Sequence, residues 1–148
     1  MSRPHLPTRK ISRTAGLSGH PAGHAVTYTD DGSGHLVATT LDAGGSLIDG
    51  VTLFDAAPGE TNTIAEAGDV EVVVSSYQLQ PGGIRPGDRL RVEDDGSFGL
   101  VSETTAFGGY VVAKALEAVP AARLDVGPVR TTVRLIEGGP FLNGSGGG

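Results

Sequence analysis

The stretch Gly83–Thr104, GIRPGDRLRVEDDGSFGLVSET, predicts two short strands joined by a tight turn. Leu90 and Val92 alternate with charged residues, which is the period of a half-buried β-strand. The segment Asp94–Ser97, DDGS, supplies residues that tolerate positive φ, so the chain can reverse into Phe98–Val101. The stretch therefore predicts a β-hairpin.

The same pattern occurs 64 positions earlier, in Gly19–Thr40, GHPAGHAVTYTDDGSGHLVATT. An ungapped comparison of the two stretches gives nine identities in 22 positions. The identical positions are two glycines, the whole DDGS turn, a Leu-Val pair and a final threonine. Two interpretations are open: a duplicated hairpin covering 19–40 and 83–104, or two separate hairpins that share favourable turn residues.

The composition favours an all-β chain. Its 148 residues include 24 Gly and 9 Pro, which suits many short strands joined by tight turns. The chain has only 4 Phe, 3 Tyr and no Trp, so its core must rest on aliphatic side chains and is expected to gain from oligomerisation. We expect a small β-barrel or β-sandwich-like body. Outside the hairpins, a strand is predicted at residues 70–77, VEVVVSSY, which the Gly68-Asp69 step opens, and others at Tyr110–Ala118 and Thr131–Ile136. Ser46–Phe54 supplies further apolar strand material, interrupted by Gly50.

Both ends differ from the body, which is predicted to cover residues 19–137. Residues 1–18 contain two prolines and lack a sustained apolar period, so they are predicted to form an extended arm. The Gly-rich residues 138–148 are predicted to form a flexible tail. All the cations of the arm lie in its first 13 residues: Arg3, Arg9, Lys10 and Arg13.

The charge distribution argues against nucleic acid and membranes as partners. The net charge is −6, and with a basic arm the body is more acidic still, so it cannot present a broad positive surface to nucleic acid. The arm also lacks aromatic residues on which bases could stack. No apolar run reaches the ~20 residues of a membrane span, and no apolar block of a secretory signal follows the basic start. The arm is then either simply solvated or docked on an acidic protein.

No residue pattern indicates a metal site, a cofactor or an active site, and we expect that the chain is not an enzyme. It has no cysteine, which excludes thiol chemistry and disulfides. His20 and His24 have the spacing of a helical metal pair, but the proline and glycine between them disfavour a helix. His35 would be one possible third ligand. The two Asp-Asp-Gly turns lack the later acid that a calcium loop uses.

One acid stands out by its surroundings. Glu117 is the only charged residue in the apolar run Ala115–Ala118. Unusual burial of the Glu117 side chain would indicate a functional role. The simpler interpretation is a glutamate at the end of a strand that faces solvent or pairs with an arginine across an interface.

Four features follow one another in a fixed order along the chain. They are the Gly-Asp steps Gly68-Asp69 and Gly87-Asp88, the Asp-Gly hairpin, a strand that ends in Ala113-x-Ala115-Leu116-Glu117-Ala118, and a closing Val133-Arg134-Leu135 strand. In this order they resemble the small capsid decoration (cement) proteins of tailed bacteriophages, over about residues 19–137. The basic arm and the Gly-rich tail depart from shorter members of that family.

The resemblance implies a structural virion protein without catalytic residues. Such a protein is made in the host cytoplasm, trimerises on the outer surface of the phage head, bridges subunits of the major capsid protein and stabilises their lattice. An extended segment can add a strand to an exposed sheet edge of its partner. We predict that Lys10–Thr14 docks in this way, and that the capsid contacts are made by Arg3, Arg9, Lys10 and Arg13.

Two other classes are open. A ligand-binding accessory barrel for a carbohydrate or a peptide would need a concave site with exposed aromatic residues, for which Tyr28, Tyr77 and Tyr110 are available. A nucleotide-processing enzyme is disfavoured because no phosphate-binding motif is present. A trimer in solution would favour the decoration protein, and a monomer the ligand-binding module.

Overall fold

The computed structural model describes residues 8–16, 18–40, 47–76, 83–101 and 109–141. These residues form nine strands and one six-residue helix, which confirms the all-β prediction. The strands are β1 Arg9–Ala15, β2 Ala25–Asp30, β3 Leu36–Thr40, β4 Gly50–Thr52, β5 Thr61–Ser76, β6 Arg89–Val92, β7 Phe98–Leu100, β8 Gly109–Ala115 and β9 Val129–Phe141, and the helix is α1 Ala121–Val126.

Two closed five-stranded rings share the long strand β5. The first ring, called barrel 1, runs β1-β3-β2-β4-β5 and closes through the antiparallel pair β1–β5, which uses residues 61–67 of β5. The second ring, called barrel 2, runs β5-β7-β6-β8-β9 and closes through the antiparallel pair β5–β9, which uses residues 68–74. One strand of 16 residues is therefore long enough to serve both rings.

The two barrels have the same topology. Each contains one parallel pair, β1–β3 in barrel 1 and β5–β7 in barrel 2, and every other neighbouring pair is antiparallel. The strand order β1 to β5 of barrel 1 thus corresponds to β5 to β9 of barrel 2. The chain has built one five-stranded unit twice, and the last strand of the first unit is the first strand of the second.

The turn before each hairpin is repeated at the spacing of 64. Gly19 and Gly83 both have positive φ, 62° and 71°, and each precedes an antiparallel bridge. The bridges are His20 to Ala56 in barrel 1 and Ile84 to Val119 in barrel 2. Glycine avoids the steric cost of this left-handed backbone, which explains the shared residue.

The hairpins themselves differ in length, so the ungapped comparison fails beyond their first strands. Val26 pairs with Thr40 in barrel 1, whereas Leu90 pairs with Leu100 in barrel 2. Each five-residue loop is closed from its first N–H to its last carbonyl, by residues 31 and 35 and by residues 93 and 97. The β2–β3 ribbon is thus two residue pairs longer, and the DDGS identity reflects local turn chemistry rather than equivalent positions in the fold.

Apolar side chains fill barrel 2 and extend to the wall of barrel 1. The interior of barrel 2 contains Val72, Leu90 and Phe98, none of which is exposed to solvent. Ala25 and Ala65, on the outer face of barrel 1, belong to the same apolar cluster. Small side chains let the two barrels approach closely, and the Ala25 N–H donates to the Gly96 carbonyl across the contact at 2.8 Å.

The structure corrects the boundaries predicted for both ends. Arg9–Ala15 is strand β1 of barrel 1 rather than part of an arm, because its backbone pairs with β5 over six residues and with β3 over two. Strand β9 continues to Phe141 by pairing with β8, so residues 138–141 do not belong to a tail. Residues 1–7, residue 17 and residues 142–148 lie outside the described residues.

Two local predictions are also corrected. Gly68 does not begin a strand: it lies in the middle of β5, with φ of 91°, where the strand passes from one barrel to the other. The strand predicted at Tyr110–Ala118 ends at Ala115. Helix α1, which follows Pro120, was not predicted.

Candidate functional site

The interior of barrel 1 ends in a polar cluster. Strand alternation places Arg13 and Tyr28 on the faces that carry Ile11 and Val26, so their side chains point into the barrel. The Arg13 guanidinium lies 4.7 Å from the centre of the Tyr28 ring, within the range of a cation–π contact. The Tyr28 hydroxyl donates a hydrogen bond of 2.7 Å to Glu66.

Burial and the neighbouring carboxylate keep the tyrosine protonated. Burial raises the pKa of Tyr28, and the hydrogen bond to Glu66 raises this pKa further. Arg9 approaches the other oxygen of Glu66 at 3.6 Å, with most of its side chain in solvent. The Arg13 Nε–H is buried and has no hydrogen-bond partner among the described residues. The cluster therefore contains one buried donor that is not used.

A cleft opens beside this cluster, between β1 and the long hairpin. β1 and β3 pair only at Thr14 with Val37 and at Ala15 with Ala38, and then separate. The space between them has a volume of about 340 Å³. Its lining residues are Ser12, Arg13 and Thr14 from β1, and Asp31, His35, Leu36 and Val37 from the hairpin.

The predicted capsid-contact residues do not form a single patch. Arg9 contacts Glu66 directly, and Arg13 is linked to Glu66 only through the Tyr28 ring and hydroxyl. Lys10 is exposed and alternates with Ile11, which faces the interior. Arg3 lies outside the described residues. Sequence reasoning missed Tyr28 and Glu66 as members of the cluster, although each follows a buried residue two positions earlier in its strand.

The remaining candidates have structural roles. The Asp31 carboxylate accepts hydrogen bonds from the Ser33 N–H and hydroxyl, which lower the pKa of Asp31 and cap the loop. Glu117 is exposed and accepts a hydrogen bond of 2.8 Å from the Thr132 N–H. Within the described ranges, no group of three or more His, Asp or Glu residues is placed to hold a metal ion.

His20 is the one histidine of the predicted pair that is buried. Its side chain is 5% exposed, and its Nδ1 lies 3.1 Å from the Asn62 side-chain nitrogen. Asn62 also donates to the Phe54 carbonyl, so the pair ties the turn after β4 to β5. Burial lowers the pKa of His20, which favours the neutral ring.

An ion pair between a buried carboxylate and a partly exposed guanidinium marks the junction of the barrels. Asp69, next to Gly68, accepts two hydrogen bonds from the Arg134 guanidinium, at 2.8 and 3.2 Å. These bonds raise the pKa of Arg134. The backbone carbonyl of Asp69 also accepts a hydrogen bond from the Thr8 hydroxyl at 2.6 Å. The contact holds β9 and the start of β1 against the middle of β5.

The fold is similar to that of a phage protein. It matches the N base of head fiber gp8.5 in bacteriophage phi29 with a TM-score of 0.60 and 20% sequence identity, covering 86% of this chain and 95% of that chain. No protein-family model and no curated protein matches the sequence. At this identity the likeness establishes the shared fold. In the part of the chain that the structure describes, no helix has the length and apolar character to cross a membrane.

Proposed function

We propose that the chain is a structural protein of a phage virion that binds the outer surface of the head. In this role it contacts the major capsid protein as a decoration or cement protein, acts as a homotrimer and has no catalytic activity. The observation that carries the proposal is the likeness to a head fiber base over 95% of that chain. The resemblance of the sequence to capsid decoration proteins also supports a location on the head of a virion.

The double-barrel body suits attachment to a repeated lattice. Contacts across the two barrels join them into one body, including hydrogen bonds from Ala25 to Gly96 and from Val73 to Gly23. A body of this kind can hold several weak contacts at fixed spacing, and a trimer would multiply them by multivalency. The exposed cations Arg9 and Lys10 offer charge complementarity to an acidic capsid surface.

The alternative, a ligand-binding barrel, is less well supported. A second cavity, of about 660 Å³, lies along the β2–β3 ribbon and is lined by no aromatic side chain of the described residues. Tyr28 points into barrel 1, and Tyr110 packs against the core of barrel 2. Tyr77 lies outside the described residues.

Co-sedimentation with phage heads that lack the protein tests this function. We expect the wild-type chain to pellet with the heads, and the double variant Arg9→Glu/Lys10→Glu to bind at least about tenfold more weakly, because two charge pairs become repulsive. The matched control is Arg89→Glu/Lys114→Glu, which reverses two neighbouring charges on barrel 2. Equal binding by both double variants would contradict the contact surface.

The oligomeric state is a separate test. A mass in solution of about three times the 15.0 kDa chain is expected for the proposed trimer. A monomer at the concentrations that saturate the heads would contradict trimerisation and would favour the ligand-binding class.

A further inference from the structure

Barrel 2 serves as an internal control for the polar cluster of barrel 1. The strand registers make Val72, Val92 and Leu135 the counterparts of Arg13, Tyr28 and Glu66. In barrel 2 these three positions are packed in the apolar core. The fold therefore closes with aliphatic residues where barrel 1 has charges, and folding alone does not require the cluster.

The cleft is also specific to barrel 1. It is bounded by the end of the β2–β3 ribbon, which extends two residue pairs beyond its counterpart in barrel 2. Leu36, in this extension, is 45% exposed although it is a large apolar residue. Between residues 10 and 13, β1 pairs with β5 alone among the described residues, so its other backbone edge faces the cleft.

We propose that this cleft is the docking site for an extended acidic peptide segment of the partner. Backbone hydrogen bonds from the segment would continue the sheet at the free edge of β1, as in strand addition. A carboxylate on the segment would accept a hydrogen bond from the buried Arg13 Nε–H, for which the described part of the chain offers no acceptor. Charge-assisted hydrogen bonds of this kind are short and strong.

The charges around the cleft fix the orientation of the segment. Arg13 is the cation that lines the β1 side of the cleft among the described residues, whereas Asp31 lies on the opposite side. The Asp31 carboxylate is already engaged by Ser33, so it repels a second carboxylate rather than binding the segment. The acidic side chain is therefore directed to β1, and the apolar side of the segment meets Leu36.

This inference rests on the proposed function only for the source of the segment, so its first test does not use heads. The probe is a synthetic heptapeptide of alternating Val and Glu, added to the full chain labelled with 15N. Nuclear magnetic resonance then follows the Arg13 Nε–H signal and the amides of β1 and β3. We expect these signals to move together, and a peptide with Gln in place of Glu to bind at least about tenfold more weakly.

A volume-conserving variant separates binding from folding. Arg13→Met, Tyr28→Phe and Glu66→Met together replace the cluster by apolar side chains of similar size, which is often neutral or stabilising for a buried ionic group. The triple variant is expected to melt at or above the wild-type temperature and to lose the acidic peptide. If it does not fold, Arg13→Gln alone is measured in the same titration.

Each outcome decides the inference. Shifts confined to other surfaces, equal affinity for the Glu and Gln peptides, or full binding by the folded triple variant would overturn it. Heads then test the source: if the wild-type chain pellets with heads and the folded triple variant pellets equally, the cleft is not the capsid site. If the wild-type chain does not pellet, the proposed function fails, and the peptide titration alone judges the cleft.

Discussion

Replacing Gly83 by alanine should destabilise the protein far more than replacing Gly87, although both glycines have positive φ, 71° and 94°. A Cβ at Gly83 would overlap the Val119 carbonyl oxygen and lie 2.6 Å from the Ala121 nitrogen, whereas a Cβ at Gly87 meets nothing within 4 Å. Both variants lose about 1 kcal/mol to the left-handed backbone. Only Gly83→Ala adds overpacking, which costs roughly 2 kcal/mol more.

Urea unfolding measures this difference. With an m-value of about 2 kcal/mol/M, Gly87→Ala should lower the midpoint by about 0.5 M and Gly83→Ala by about 1.5 M, at unchanged m. Gly19→Ala should behave like Gly83→Ala, because its Cβ would lie 2.6 Å from the Ala56 carbonyl oxygen at the equivalent bridge. Equal midpoints for Gly83→Ala and Gly87→Ala would refute the reasoning, because backbone conformation would then account for the whole effect.

Two further predictions concern buried polar groups. Asp69→Asn removes the charge that pairs with Arg134 at the junction of the barrels, whereas Glu71→Gln affects an exposed pair with Arg130. The urea midpoint of Asp69→Asn should therefore fall several-fold further than that of Glu71→Gln. Similar midpoints for the two variants would contradict a stabilising junction. The pKa of His20 is lowered in the folded state, so the unfolded chain binds the proton first and stability is lost as the pH falls below the ordinary value of 6.5. The free energy of unfolding should therefore drop more between pH 7 and pH 5, measured by urea titration, for the wild-type chain than for His20→Gln, and parallel pH profiles would show that His20 does not contribute.

The sequence predicted the strands wherever apolar residues alternate with polar ones. The second half of β5 and most of β9 were found in this way, and so was the first hairpin, because barrel interiors in those places are apolar. β1 was missed because one of its inward positions is Arg13. A charge at that position breaks the apolar alternation of a strand, so the segment has the pattern of a solvated arm. The end of β9 was missed because Gly139 and Pro140 pair with β8 through their backbone, which composition does not reveal.

The candidate site could be predicted only in part. Arg9, Lys10 and Arg13 were identified by charge, but no pattern indicated that Tyr28 and Glu66 would join Arg13 in one cluster, since the three residues lie on three different strands. The spacing of 64 indicated a repeat, yet the four extra residues of the first hairpin were hidden by the DDGS identity. The two hairpins share turn residues, and this local similarity made their sequences look aligned position by position although the hairpins differ in length.

Because β5 belongs to both barrels, a change in this strand affects both of them. Even-numbered residues of β5 face inward on both sides of Gly68, Ile64 in barrel 1 and Val72 in barrel 2. Inserting a single residue at this glycine would therefore turn the valines of one barrel outward while the other kept its phase. The two barrels therefore cannot change register independently, because both depend on the phase of the same strand.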